Sequence, residues 1–127
     1  MLFSSRESEV RLFIYQYFID TAEAPPIRAI TDELTITKAG AKASLKALES
    51  QHALVLKPDS FDIWMAHPFS AVPTSYPVRT YQLTYYANCA WDALGIPAIL
   101  EIDSETETTC PDCEVPVIFG VQDGKLT

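Results

Sequence analysis

The sequence has no long hydrophobic run. No apolar stretch approaches the roughly 20 residues a helix needs to cross a bilayer. Met1-Leu2-Phe3 gives way at once to Ser4-Ser5-Arg6-Glu7, not to the apolar core of a secretory leader. Neither a membrane span nor signal-directed export is expected, and the expected compartment is the cytoplasm. Positive charge is also scarce. Nine Lys and Arg face 17 Asp and Glu, for a formal net charge of −8, a balance that disfavours nonspecific binding to nucleic acid or anionic membrane. The shortage is uneven: residues 1–66 carry seven basic and nine acidic side chains (net −2), and residues 67–127 carry two basic and eight acidic (net −6). Any nucleic-acid surface must therefore lie in the first half. Cysteine is absent from the first 88 residues and then occurs three times, at Cys89, Cys110 and Cys113. An odd number excludes complete intramolecular pairing, so free or metal-bound thiols in a reducing compartment fit better than a disulfide framework. No internal repeat is evident.

With 127 residues and 48% apolar composition, the chain suits one ordinary domain or two small lobes. The first lobe, 1–66, reads as an α-helical segment closed by a hairpin. Val10, Phe13, Ile14, Tyr17 and Phe18 repeat at helical spacing, and Pro25-Pro26 stops that helix. A second helix is predicted over Ile27–Leu34. A third is predicted over Lys38–Ser50, with Thr37 as its N-cap and Ala41, Leu45 and Leu48 turned inward. Gly40 costs that helix about 1 kcal/mol of propensity, which implies a packing reason for it. Ala53–Leu56 and Phe61–Met65 read as strands joined by the turn Lys57-Pro58-Asp59-Ser60. Three helices and a hairpin make the order of a winged helix-turn-helix. Lys38, Lys42 and Lys46 recur every four residues on the third helix. They form either a phosphate-contacting stripe for DNA or an ordinary solvated face. The helix has no Arg, Asn or Gln for bidentate base readout.

The second lobe, 67–127, reads as mostly antiparallel strands with one short helix, making the whole chain α+β. His67–Thr74 is a proline-bearing connector, in which His67 can serve as a ligand, as a base or as a hydrogen-bonding loop residue. Val78–Tyr85 reads as a strand, Cys89–Leu94 as a helix stopped near Gly95 and Pro97, and Ala98–Ile102 as a strand. Asp103–Glu107 reads as a polar turn or edge, Cys110-Pro111-Asp112-Cys113 as a tight turn and Val115–Val121 as a strand. The tail after it is expected to form no further element.

Cys89 and Asp92 lie three residues apart at the start of that helix, and so share a face. The amino end of a helix favours negative charge on a cysteine sulfur, and a thiolate is both a nucleophile and a soft-metal ligand. A neighbouring carboxylate can hold or deliver a proton, although its charge opposes the thiolate. A packed cysteine beside a helix-capping aspartate gives the same spacing. Cys110 and Cys113 have the Cys-x2-Cys spacing of half a zinc site. Cys89 as third ligand and His67 as fourth would give Cys3His around a structural Zn(II), although the usual second Cys-x2-Cys or His pair is missing.

Residues 67–118 resemble the alkylmercury lyase (organomercurial lyase) family. The resemblance is carried by Asn88-Cys89-Ala90-Trp91-Asp92-Ala93-Leu94 with Pro97-Ala98, and then by Cys110 with Pro116-Val117. The helical start of the chain also resembles the family's amino-terminal part. The resemblance implies cleavage of a carbon–mercury bond to a hydrocarbon and bound Hg(II), with mercury as substrate and no resident cofactor required. It implies that Cys89 is the first mercury-binding thiolate, Asp92 the proton-handling carboxylate, and Cys110 a buried structural cysteine. The family's second catalytic cysteine lies in a carboxy-terminal portion, and the sequence ends at Thr127 before it. The implied form is therefore short or partial, with Cys113 the local residue available to replace that thiol.

Two functions follow from the sequence. One is an alkylmercury-lyase-like protein that binds an organomercurial or a thiophilic metal ion through Cys89 and Asp92. The other is a non-enzymatic winged-helix regulator or interaction protein with a metal-sensing or structural-zinc lobe at Cys89, Cys110 and Cys113, acting alone or as a homo-oligomer.

Overall fold

The structure, a computed structural model, describes residues 4–110 and 112–127. The chain divides into two units, Met1–Ala66 and His67–Thr127.

In the first unit, helix α1 (Ser5–Thr21) starts where Ser4 accepts a hydrogen bond from the Glu7 N–H. It buries Val10, Ile14 and Phe18, each four residues from the next, as a single core-facing stripe requires. Helices α2 (Ile27–Leu34) and α3 (Lys38–Ser50) begin and end where Pro26 and Thr37 predict. Ile30 faces inward from α2, and Ala41, Leu45 and Leu48 do so from α3. The packing reason for Gly40 is local. A Cβ there would meet the Arg6 guanidinium at 3.1 Å and the Thr37 hydroxyl, the cap of α3, at 3.2 Å. Strands β1 (Val55–Leu56) and β2 (Ile63–Ala66) pair antiparallel around a turn containing Asp59 in the left-handed region. Glu49 of α3 accepts a bond from the Leu56 N–H at 2.9 Å, tying the hairpin to the helices. The lysine row is not uniformly free for phosphates. Lys42 and Lys46 lie 5.0 and 5.5 Å from the Phe61 ring, and Lys46 also pairs with Glu49.

One carboxylate joins the two ends of this helical region. Ser4 and then Gln51 donate to Glu7, each at 2.9 Å, and these bonds hold Glu7 below its ordinary value of 4.5. Because the shift is downward, the stabilisation is present above the unfolded carboxylate range and fades as pH falls through the lowered folded value. Glu7→Gln is expected to flatten this acid limb, read as the urea midpoint measured from about pH 5 to about pH 3.

In the second unit, β3 (Phe69–Ser70), β4 (Tyr76–Arg79), β5 (Thr84–Ala87), β6 (Ser104–Thr109), β7 (Pro116–Gln122) and β8 (Lys125–Leu126) form antiparallel pairs in the order β3-β5-β4-β6-β7-β8. Helix α4 (Ala90–Leu100) is embedded among them and packs against β4, β5 and β7. Its buried face is Ala93, Ile96 and Pro97, with Val78, Tyr85 and Ala87 of the sheet also buried.

Four expectations for this unit are corrected. Residues 78–85 are not one strand but two, reversed by a turn in which Thr80 accepts from the Gln82 and Leu83 N–H groups. The helix does not stop at Gly95, and residues 98–100 continue it instead of forming a strand. Pro97 is tolerated because it packs in the buried face and because its carbonyl accepts the closing N–H groups of Glu101 and Ile102. Residues 104–109 are not an edge turn but an interior strand, paired with β4 on one side and along its whole length with β7 on the other. The tail does form an element. Asp123 and Gly124, both at positive φ, reverse the chain so that Leu126 pairs with Val121, as an Asp-Gly hairpin turn does.

Gly95 faces Pro68, and an added Cβ would stand 3.9 Å from the proline Cβ, an ordinary contact. Gly95→Ala is therefore expected to stabilise α4 by about 0.5–1 kcal/mol, visible as a raised urea midpoint with an unchanged slope.

Candidate functional site

The site is built where β3, the end of β5 and the start of α4 meet. Pairing of Phe69 with Ala87 fixes β3 against β5, and the chain then runs through Asn88 into the helix. Cys89 is the N-cap of α4, with extended backbone (φ −155°), and its carbonyl accepts the Ala93 N–H at 3.0 Å. Its side chain makes no capping hydrogen bond, and the residue is exposed with a free thiol. Asp92 follows on the first turn. Its side chain is 23% exposed and lies 3.5 Å from His67 Nδ1.

His67 thus joins the site as a neighbour of Asp92, where the sequence had offered it as a ligand, a base or a loop residue without linking it to that carboxylate. Asn88 Nδ2 lies 3.2 Å from the same His67 nitrogen and 3.4 Å from the Phe69 carbonyl. Asn88 Oδ1 is buried and has no hydrogen-bond partner among the described residues. Asn88 was legible only as the neighbour of Cys89, and nothing in the spacing links His67 to Asp92 across 25 positions. The strand pairing makes that link.

A groove begins one residue beyond Cys89. Ala90, Trp91 and Leu94 of α4 face Phe119 of β7 and Leu126 of β8 around a cavity of about 310 Å³. Every lining residue is apolar, and Trp91 is 82% exposed at the rim. A larger cavity, about 680 Å³, lies towards the carboxy end of α4 and carries Glu101, Asp103 and Asp123. It adjoins none of Cys89, Asp92 and His67. The smaller cavity suits an apolar group, but its lining too includes none of Cys89, Asp92 and His67.

Cys110 and Cys113 lie elsewhere in the unit, in the turn between β6 and β7. The Cys110 N–H donates to the Val115 carbonyl, and the Glu114 N–H donates to the Cys110 carbonyl. The Cys113 side chain, then the backbone N–H groups of Asp112 and Cys113, hydrogen-bond the Cys110 sulfur and lower its pKa. Pro111 lies outside the described residues. Cys110 is half-buried, not the buried residue the resemblance implied, and Cys113 is exposed. Among the described residues, no group of three or more His, Cys, Asp and Glu comes together to hold a metal ion. Cys89, Cys110, Cys113 and His67 are therefore not assembled as a Cys3His set, and the cysteines form no disulfide.

Known proteins place this architecture. Residues 69–127 match the family model of alkylmercury lyase. A solved crystal structure, the mercury-bound form of MerB2, superposes with a TM-score of 0.80 over 98% of this chain, at 21% sequence identity. No curated protein matches. The fold is thus of the MerB type, and residues 69–127 are similar to the alkylmercury lyase family. The chain spans 59% of the length of the MerB2 chain. Among the described residues, no helix is long and apolar enough to cross a membrane.

Proposed function

We propose that the second unit handles organomercury by alkylmercury lyase chemistry, with Cys89 as the capturing thiol and Asp92 as the proton-handling carboxylate. The observation that carries this reading is the placement of Cys89 and Asp92 together on the first turn of α4, the thiol exposed and the carboxylate set against His67. An organomercurial R–Hg–X offers a soft metal and an apolar R group. Cys89 sulfur displaces X as its anion and binds mercury, the thiol proton passing to the Asp92 carboxylate. A proton then passes from the Asp92 carboxyl to the mercury-bound carbon, the carbon–mercury bond breaks, and R–H departs. Hg(II) remains on the Cys89 thiolate beside the Asp92 carboxylate. His67 and Asn88 orient Asp92 from behind. That a MerB-type structure was solved with mercury bound supports mercury as the substrate metal.

The experiment is hydrocarbon release from phenylmercury, followed by gas chromatography. In a background with Ser at positions 110 and 113, Cys89→Ser should neither capture the substrate nor release benzene. Asp92→Asn should capture it but lose release by roughly 100-fold or more, the usual scale for removing a positioned proton donor. Parental benzene release by Asp92→Asn would remove Asp92 from this role.

The first unit we read as a winged helix, supported by the order α1, α2, α3 and the β1–β2 hairpin. A DNA-binding role through Lys38, Lys42 and Lys46 has less support, because Phe61 engages two of the three lysines and the net charge of residues 1–66 is −2.

A further inference from the structure

We propose that Cys110 and Cys113 form a second soft-metal site, a two-thiolate chelate for a two-coordinate cation of the Hg(II) type, separate from Cys89. The β6–β7 hairpin builds it. Pairing runs without interruption from Ser104–Val121 to Thr109–Pro116 and delivers both arms of the turn in register. The Cys110–Val115 and Glu114–Cys110 backbone bonds then close the turn at 2.9 and 2.8 Å. Within it the two side chains are in hydrogen-bond contact, and two backbone N–H groups point at the Cys110 sulfur. Cys113 is exposed, so an ion can enter from solvent.

The ligand count selects the metal. Structural zinc takes four ligands in tetrahedral array, and no third His, Cys, Asp or Glu completes a cluster among the described residues. Asp112 and Glu114 offer only hard oxygen, which suits Mg or Ca better than a soft ion. Two sulfurs without a third ligand suit a soft cation content with two. Binding is a ligand exchange without redox change. Each thiol gives its proton to solvent, two sulfur–metal bonds form, and two protons are released per Hg(II).

This site does not depend on the lyase reading, and its test is made in Cys89→Ser protein, which leaves Cys110 and Cys113 as the only thiols. One equivalent of Hg(II) should block both thiols to a colorimetric thiol reagent and release two protons. In competition with a monothiol such as 2-mercaptoethanol, Cys113→Ser or Cys110→Ser in that background should each bind Hg(II) roughly 100-fold more weakly, because the second sulfur no longer acts intramolecularly. Circular dichroism establishes that each variant is folded, and exposed Cys113 is the safer substitution. The proposal is overturned if two equivalents of Hg(II) are needed to block the two thiols, or if Cys113→Ser competes within a few-fold of its parent.

Discussion

Cys89→Ser is expected to weaken phenylmercury binding by roughly 100-fold or more, about 2.7 kcal/mol. The proper background carries Ser at positions 110 and 113, so that a single sulfur decides the outcome. A serine hydroxyl keeps nearly the same shape at the N-cap of α4 and is a better helix cap than cysteine. The fold should therefore be unharmed or slightly more stable, and what disappears is the soft ligand. Whatever affinity the phenyl group has for apolar surface is unchanged by the substitution. Isothermal titration with phenylmercury and with Hg(II) separates the two contributions. Equal binding by the parent and the serine variant would place mercury somewhere other than α4.

Gly120→Ala is expected to cost the second unit at least about 3 kcal/mol, the upper end of ordinary overpacking. Gly120 lies in β7 opposite Glu105. A Cβ at this position would come to 2.1 Å from the Ser104 carbonyl oxygen and 3.0 Å from its carbon. These are backbone atoms of the paired strand, so no rotamer change relieves the clash and β6 must separate from β7. The Gly120 carbonyl also accepts the Thr127 N–H, so the β7–β8 turn is disturbed with it. Against a typical total stability of 5–15 kcal/mol, this is a large share. The comparison is Gly95→Ala, the same substitution made in open contact with Pro68. Urea unfolding followed in the far ultraviolet should move the two variants in opposite directions. Parental stability of Gly120→Ala would mean that β6 and β7 are not paired as described.

The first unit was readable because its boundaries are chemical. Pro25-Pro26 and Thr37 mark where helices stop and start, and Val10, Ile14 and Phe18 display the core stripe directly. The second unit hid its signals. Strand β6 alternates, but its inward positions are Ser104 and Thr106, buried with hydroxyls that have no partner among the described residues. A polar residue on the core face erases the pattern by which half-buried strands are recognised. Gly95 and Pro97 read as stops, yet packing kept α4 helical through both. Asp123-Gly124 was a legible hairpin signal that the shortness of the tail concealed. At the site, Cys89 and Asp92 were within reach of sequence reasoning because one helical turn joins them. His67 was readable as a candidate ligand or base, but its approach to Asp92 was not, because that depends on strand pairing far along the chain.

Trp91 gives the protein a built-in optical probe. Its indole stands in solvent at the groove rim, two positions from the Cys89 thiol, and the only other tryptophan, Trp64, belongs to the first unit. A heavy atom captured at Cys89 promotes intersystem crossing in a nearby excited indole and dims its emission. With Trp64→Phe, arrival and departure of mercury become visible as loss and recovery of a single fluorophore's light, in real time and without a label.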